Sequence, residues 1–387
     1  MQSTKWIWIC LVAVSMAYCD EDASLVADAG SEVAWGFRSK EEAAPPPVAI
    51  ISTSHESEKH PAKKNPGPYN NITGKGGWFF GEYLYWRPSN SELPFGLEST
   101  TIASADTDGN LITGNVERHI PYKMRSGFRV GLGCRLSSDQ WDLAGQWTQF
   151  GAHGHKTIYN AGGPQHVTPI WEPIIGSNPW KIGAKSDLHL KMVDIEIGKI
   201  FCPSQSFSLR PSIGTRWVSV DQRMRLHYEG LSMTIQSSYH IFGQDQIHTK
   251  NEYQGMGLRG AASANWNFRT GFALYGKAGY SLVYGSFKSS LREQFTGYNT
   301  FTSNSPVNVS TKGKNDFHAT RNIFDATAGI SWTKVFSHTK RLSFNLAYEF
   351  TFLPNQGNQS VLFPTGTSML KTDLGFQGLT AGGRFDF

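Results

Sequence analysis

From Gly76 onward the chain alternates apolar and polar residues with a period of two, as strands do when their two faces meet different surroundings. The segment GFRVGLGCRL shows it most cleanly: Phe128, Val130, Leu132, Cys134 and Leu136 share one parity, Arg129, Gly131, Gly133 and Arg135 the other. Upstream, GGWFFGEYLYWR sets Phe79, Gly81, Tyr83 and Tyr85 against Phe80, Glu82 and Leu84, so Glu82 marks the wetter face. Downstream, the apolar rows starting at Trp141, Val193 and Phe207 alternate with Asp142, with Asp194 and Glu196, and with Arg210 and Arg216. Those starting at Met256, Phe272, Phe324 and Leu342 alternate with Arg259, Lys277, Asp325 and Glu349. A tenth segment places Leu379, Ala381, Gly383, Phe385 and Phe387 opposite Thr380, Gly382, Arg384 and Asp386.

The spacing of these ten segments narrows the fold. Connections of roughly 40 residues alternate with connections under about 10, which is the arrangement of a transmembrane barrel with long external loops and short periplasmic turns. The expectation is an all-β fold, a transmembrane antiparallel up-and-down β-barrel over residues 76–387. Its expected strand number is about ten, within a range of 10–16, because stretches such as Ser232 to Ile241 have room for further hairpins. A soluble β-sandwich is the alternative, but its outward faces would be polar and its connections short at both ends.

Ahead of the barrel, Lys5 and the apolar run Trp6 to Ala17 match a secretory signal peptide, giving residues 1–17 as the signal. Cys19 raises lipidation as an alternative, although Tyr18 stands where a small residue is expected. Residues 18–75 hold Pro45, Pro46, Pro47, Pro66 and Pro68 and read as a Pro-rich, flexible periplasmic segment. The expected localisation is the bacterial cell outer membrane.

Composition agrees: 40 Gly, 24 Phe, 14 Tyr and 12 Trp with only 17% charged residues suit strands, turns and aromatic girdles. The net charge of +5 is modest and dispersed, so no nucleic-acid partner is expected. If the apolar parity faces lipid, Glu82, Arg129, Arg135, Asp142, Asp194, Glu196, Arg210, Arg216, Arg259, Lys277, Asp325, Glu349, Arg384 and Asp386 line the lumen. A charge facing the bilayer midplane costs about 2–4 kcal/mol, which enforces that placement. Such residues suit a water-filled pore for small hydrophilic solutes and ions. The alternative is that they pair with one another and fill a narrow barrel.

Trp78, Trp86, Trp141, Trp147, Trp217, Trp266 and Trp332 fall near segment ends and are expected in interfacial girdles. Cys134 is placed toward lipid and Cys202 in a periplasmic turn; a bond between them would strain disulfide geometry, leaving Cys202 as a thiol or a link to another protein. His153 and His155 fall in a long connection, and two histidines without a third ligand make a poor metal site. No metal, cofactor or catalytic constellation is expected, so the chain is not read as an enzyme.

The segments GWFFGEYLYWRPSNSELPFGLES, SLRPSIGTRW, GMGLRGAASANWNF and GFALYGKAGYSLVYGSF resemble the Legionella-type major outer membrane protein family, which also occurs in chlamydia-like bacteria. The resemblance implies a pore-forming outer-membrane protein whose partners are outer-membrane lipid, the barrel-assembly machinery and small hydrophilic solutes. It also leaves open a homo-oligomer and a host surface ligand met through the connections Glu92 to Glu117, His153 to Lys185 and Phe287 to Phe317. A filled barrel acting as a surface adhesin or structural protein is the competing expectation. The closing aromatic, Phe387, resembles the signal that assembly machinery reads in such barrels.

Overall fold

The computed structural model describes residues 76–387, apart from 90–93, 106–110, 137–139, 161–164, 236–238, 270, 301–304, 338–339, 357–358, 364–365 and 371. The expected signal peptide and Pro-rich segment lie outside the described residues. The strands, in chain order, are β1 Gly77–Ser89, β2 Pro94–Ala105, β3 Leu111–His119, β4 Arg125–Arg135, β5 Trp141–Tyr159, β6 Gln165–Pro169, β7 Lys181–Lys199 and β8 Phe207–Ile235. Further along lie β9 Tyr239–Arg269, β10 Phe272–Asn299, β11 Ser305–Val335, β12 Arg341–Leu353, β13 Gln359–Phe363, β14 Gly366–Leu370 and β15 Leu374–Asp386.

Ten strands close into one antiparallel barrel in the order β1-β15-β12-β11-β10-β9-β8-β7-β5-β4, with β4 pairing back to β1. Each coincides with one of the ten alternating segments. The seam between first and last strands is pinned by reciprocal bonds, Gly77 N–H to Phe387 O and Phe387 N–H to Gly77 O, each 2.9 Å. Beside it Phe79, Phe385 and Phe387 pack on the outer face. The remaining strands form a three-stranded sheet, β3-β2-β6, and the hairpin β13-β14, all within connections at one end of the barrel. At the other end the connections are tight; Gly271, with φ +83°, turns β9 into β10 where a Cβ would meet Thr333 O at 2.7 Å.

The strands are much longer than the alternating segments. β9 and β11 have 31 residues each, β8 has 29 and β10 has 28, whereas roughly 10 tilted residues cross a bilayer. The connections expected at His153 to Lys185 and Phe287 to Phe317 are therefore largely strand: His153 and His155 lie in β5, and Phe287 and Phe317 pair across β10 and β11. Much of Glu92 to Glu117 is β2 and β3, and the described residues of Ser232 to Ile241 are the paired ends of β8 and β9.

What changes along these strands is the surroundings each face fits. The outward positions of β8 run Leu209, Ile213 and Trp217, then Asp221, Arg223, Arg225, His227 and Glu229. Its inward positions run Ser208, Arg210, Ser212 and Arg216, then Val218, Val220, Met224, Leu226 and Tyr228. The same switch falls on the neighbouring strands. The register row Trp147, Val193, Trp217, Met256 and Tyr284 closes the continuous apolar band on the outside, and the next contains Gln149, Lys191, Ser219, Gln254 and Ser286. Further along, isolated rings such as Tyr159 and the Phe242–Tyr298 pair are exposed. Apolar residues thus cover the outside at the tight-turn end and the inside at the long-hairpin end.

Two tryptophans depart from the girdle expected of them. Trp78 and Trp86 share Glu82's parity and are buried inside the barrel, with Trp86 only 1% exposed. Trp141, Trp147, Trp266 and Trp332 are exposed on the outer face, and Trp217 shares their outward parity. Cys134 is exposed on the outer face, Cys202 is half-buried, and the two are not joined.

Candidate functional site

All fourteen charged residues singled out in the sequence lie on inward parities, on ten different strands or their ends. Closure of the ring brings them together in three clusters. In the first, Arg129 bridges two carboxylates, at 2.8 Å to Glu82 and 2.7 Å to Glu349, and its Nε donates to Thr148. Thr380 Oγ1 donates to Glu349 and itself accepts from Trp86 Nε1, so the network ties strands together across the lumen.

The second cluster is the largest. Arg216 grips Asp194 through Nε and Nη2 at 2.6 and 2.7 Å, and its Nη1 reaches Asp325 at 2.8 Å. Arg259 joins Asp325 to Glu196, the latter at 2.6 Å, and Arg210 joins Glu196 at 3.6 Å to Asp142. Paired fork-shaped contacts of this kind suit guanidinium better than ammonium. Near the tight turns a third cluster gathers Arg135 and Arg384 on Asp386, at 2.9 and 2.8 Å. Among the described residues, Lys277 alone of the fourteen has no carboxylate within ion-pair distance; it lines a luminal cavity of about 280 Å³ together with Glu196, Arg129 and Glu349. A second cavity of about 260 Å³ lies toward the tight turns, bounded by Arg210, Arg341, Arg384 and Asp386.

Beyond the ion pairs the lumen turns apolar. Trp86, Phe150, Leu190, Val218, Val220, Tyr253, Phe287, Ile323 and Phe376 form one buried cluster drawn from strands all around the ring. Rings stack through it: Phe287 lies 4.9 Å from Phe317 and 4.5 Å from Tyr253, and Trp86 contacts Phe150 and Phe376. A second cluster continues toward the hairpin tips, where Phe95 of β2, Val167 of β6 and Trp171 pack among Ile182, Leu226, Tyr228 and Phe295. The small sheet thus caps the interior.

Several polar side chains interrupt that apolar region, among them an acidic pair that period-two alternation alone does not single out. Asp245 on β9 and Glu293 on β10 are both buried there, and both accept from the Ile174 amide, at 3.2 and 2.9 Å. Burial, then the hydrogen bond and the charge of Asp245, push the Glu293 carboxyl up to about 8, so it holds a proton near neutral pH. Burial also raises Asp245. The signal available was an acidic residue on the apolar parity of Phe287, Leu291 and Phe295.

A closed antiparallel barrel, apolar outside over one zone and charged within it, defines the class: an outer-membrane β-barrel protein. The chain belongs to the family of the Legionella pneumophila major outer membrane protein precursor, which matches residues 75–387, and it resides in the outer membrane. That family is one of structural and transport proteins rather than enzymes. No curated protein matches by sequence. Among solved structures, the outer membrane protease OmpT of Escherichia coli is 13% identical, with a TM-score of 0.36, over 81% of this chain and 97% of that one. The Pseudomonas putida toluene transporter TodX is 7% identical at a TM-score of 0.27, over 83% and 92%. Ail of Yersinia pestis, solved with a heparin analogue, is 8% identical at 0.20, over 81% and 99%. Likenesses this remote assign no activity to this chain.

Proposed function

We propose that the protein is a filled, surface-presenting barrel: a structural outer-membrane protein whose lipid-embedded zone anchors a rigid β extension outside the cell. The observation that carries this reading is the ring-spanning apolar cluster of Trp86, Phe150, Leu190, Val220, Phe287 and Phe376, whose side chains fill the lumen at that level with the Arg321 guanidinium laid over the Phe287 ring. A barrel of this strand number is narrow enough for side chains to fill. The long hairpins then lie outside the cell and the tight turns in the periplasm, following the habit of such barrels. The extension they form, capped by β2, β3 and β6, is the surface on which any host ligand would bind.

The second reading, a diffusion channel lined by the fourteen charged residues, is favoured by the two luminal cavities. It requires the apolar cluster to move aside. Reconstitution of the purified chain into planar bilayers separates the two: the filled barrel gives no conductance steps above the lipid background, and stable steps would favour the channel. Phe387 fits the role of assembly signal because its ring joins Phe79 and Phe385 at the seam. A chain ending at Asp386 should reach the membrane at lower levels; unchanged levels would remove that role.

A further inference from the structure

The outer face of the extension is not uniformly polar. One register row across six adjacent strands reads His155, Lys185, Arg225, His248, Arg292 and Lys312, with each neighbour paired directly to the next. Every one of these side chains is exposed. The row below it adds Arg223, Lys250 and Lys314, interrupted by Asp187 and Ser290. Strands lie about 4.8 Å apart, so the upper row alone places basic side chains over roughly 24 Å.

Ion pairing neutralises only part of this face. Arg223 is held by Asp221, Arg225 by Asp187 and Lys250 by Glu252. Among the described residues, Lys185, Arg292, Lys312 and Lys314 have no carboxylate within ion-pair distance. Three of the four, Arg292, Lys312 and Lys314, line a surface depression of about 450 Å³. Partial burial, and after it the charges of Arg225 and Arg292, lower the pKa of His248 within it. Like charges set directly opposite each other on paired strands are destabilising, so folding alone gives no reason for this row.

Its height selects the partner. Lys250 lies six residues beyond Met256, where the continuous apolar outer row of β9 gives way to Gln254, and Lys312 twelve beyond Phe324 on β11. At about 3.4 Å per residue and a tilt near 40°, the face stands roughly 15–30 Å above the hydrocarbon edge. A phospholipid headgroup layer ends only about 6 Å above that edge. Phosphorylated sugars of a glycolipid in the same leaflet extend further and bring anionic groups to the required level. Arg and Lys together suit phosphate, the first by forked hydrogen bonds and the second as a point charge.

We propose that this basic face, centred on Arg292, Lys312 and Lys314, binds the phosphorylated sugar region of an outer-leaflet glycolipid packed against the barrel. The proposal rests on the sidedness given under Proposed function, and it is independent of whether the lumen is open. Glycolipid bound there would brace the base of the extension, where exposed strand faces leave the membrane.

The test uses the full chain in detergent and lipopolysaccharide with a phosphorylated inner core, with binding followed by native mass spectrometry. The combined substitution R292S, K312S and K314S should weaken binding at least tenfold, and K340S, at the tight-turn end, should not. Enzymatically dephosphorylated lipopolysaccharide should bind the unaltered chain as weakly as the intact lipid binds the triple variant. A heat-modifiable electrophoretic shift reports that each variant is folded, and R292K should restore part of the affinity when set against R292S. Equal binding by the triple variant, or equal binding of the dephosphorylated lipid, would overturn the proposal. So would a sulfated hexasaccharide binding as tightly at the same residues, because the face would then serve soluble polyanions. Sidedness is read separately by amine labelling of intact cells: Lys312 and Lys314 should react, and reaction of Lys334 and Lys340 in their place would overturn the proposal whatever the detergent result.

Discussion

The two ends of this barrel are built on opposite solvent rules with the same strands. In the lipid-facing zone, Leu258 and Ile213 point outward while Arg216, Asp194 and Asp325 meet inside. In the extension, Arg223 and Arg225 point outward while Val220, Leu226 and Phe287 fill the interior. Each zone places apolar atoms where water is absent, against lipid in one and within the lumen in the other. The parity of the chain never changes across the boundary; only the chemistry assigned to each parity does. A strand of 31 residues can therefore be half membrane protein and half soluble barrel.

The largest expected effect comes from opening the charged interior. Arg216→Ala leaves Asp194 and Asp325 buried with a lost partner and should cost about 3–5 kcal/mol, read as a fall in the denaturant midpoint of the heat-modifiable band. Replacing Phe287 by Ala tests the other interior: removing a ring stacked between Tyr253 and Phe317 should cost about 3–5 kcal/mol without involving a charge. Asp194→Asn and Asp325→Asn, added to each variant, discriminate the two, because only the first deficit should shrink when the stranded carboxylates are removed. If Phe287→Ala were silent, the apolar filling of the extension would be wrong.

The outer face permits one substitution to be made in two surroundings. Leu258→Arg, at a position 67% exposed within the apolar zone, should cost about 2–4 kcal/mol, whereas Gln246→Arg on the same face of the same strand should cost under about 0.5 kcal/mol. Equal costs in folding titrations from urea into vesicles would contradict the boundary between them.

A smaller effect is tied to pH. Glu293 holds its proton up to about 8 in the folded chain, but an unfolded Glu loses it near its ordinary value of 4.5. Folded and unfolded forms bind equally many protons below that value. Between about 4.5 and 8 only the folded form keeps the proton, so stability falls as pH rises through this window and levels off above it. Hydrogen exchange at the Ile174 amide, which both carboxyls accept from, should therefore quicken from pH 5 to 8 beyond the intrinsic base-catalysed rate. Glu293→Gln should abolish that excess; an unchanged excess would assign it elsewhere.

Much of this was legible in the residues. The ten barrel strands, the closing seam at Phe387 and the inward placement of Arg129, Arg216 and Asp325 stem from period-two alternation with an apolar outer parity. The extension was harder to read because the alternation persists there with its sense reversed: Phe287, Leu291 and Phe295 continue the parity of Lys277, while Lys288 and Arg292 continue that of Leu282. A search for a lipid-facing parity stops at that reversal and reads the remainder of each hairpin as loop. Trp78 and Trp86 carried their own warning, since both share Glu82's parity. Which carboxylate each arginine meets was not legible, because Arg129 and Glu349, 220 residues apart, meet only when the ring closes. The Asp245–Glu293 pair needed the same closure and the burial it brings.

The boundary itself is open to direct measurement. Single cysteines carrying a nitroxide at outward positions of β9, from Gln244 through Trp266, in a chain with Cys10, Cys19, Cys134 and Cys202 replaced by serine, report whether each site meets lipid or water. Oxygen accessibility should dominate from Met256 to Trp266, and accessibility to a water-soluble nickel chelate from Gln244 to Gln254, with one crossover between Gln254 and Met256. Lipid-like accessibility continuing to Gln244, or water reaching Leu258 and Ala262, would contradict the division of this barrel into an inside-out base and a water-exposed extension.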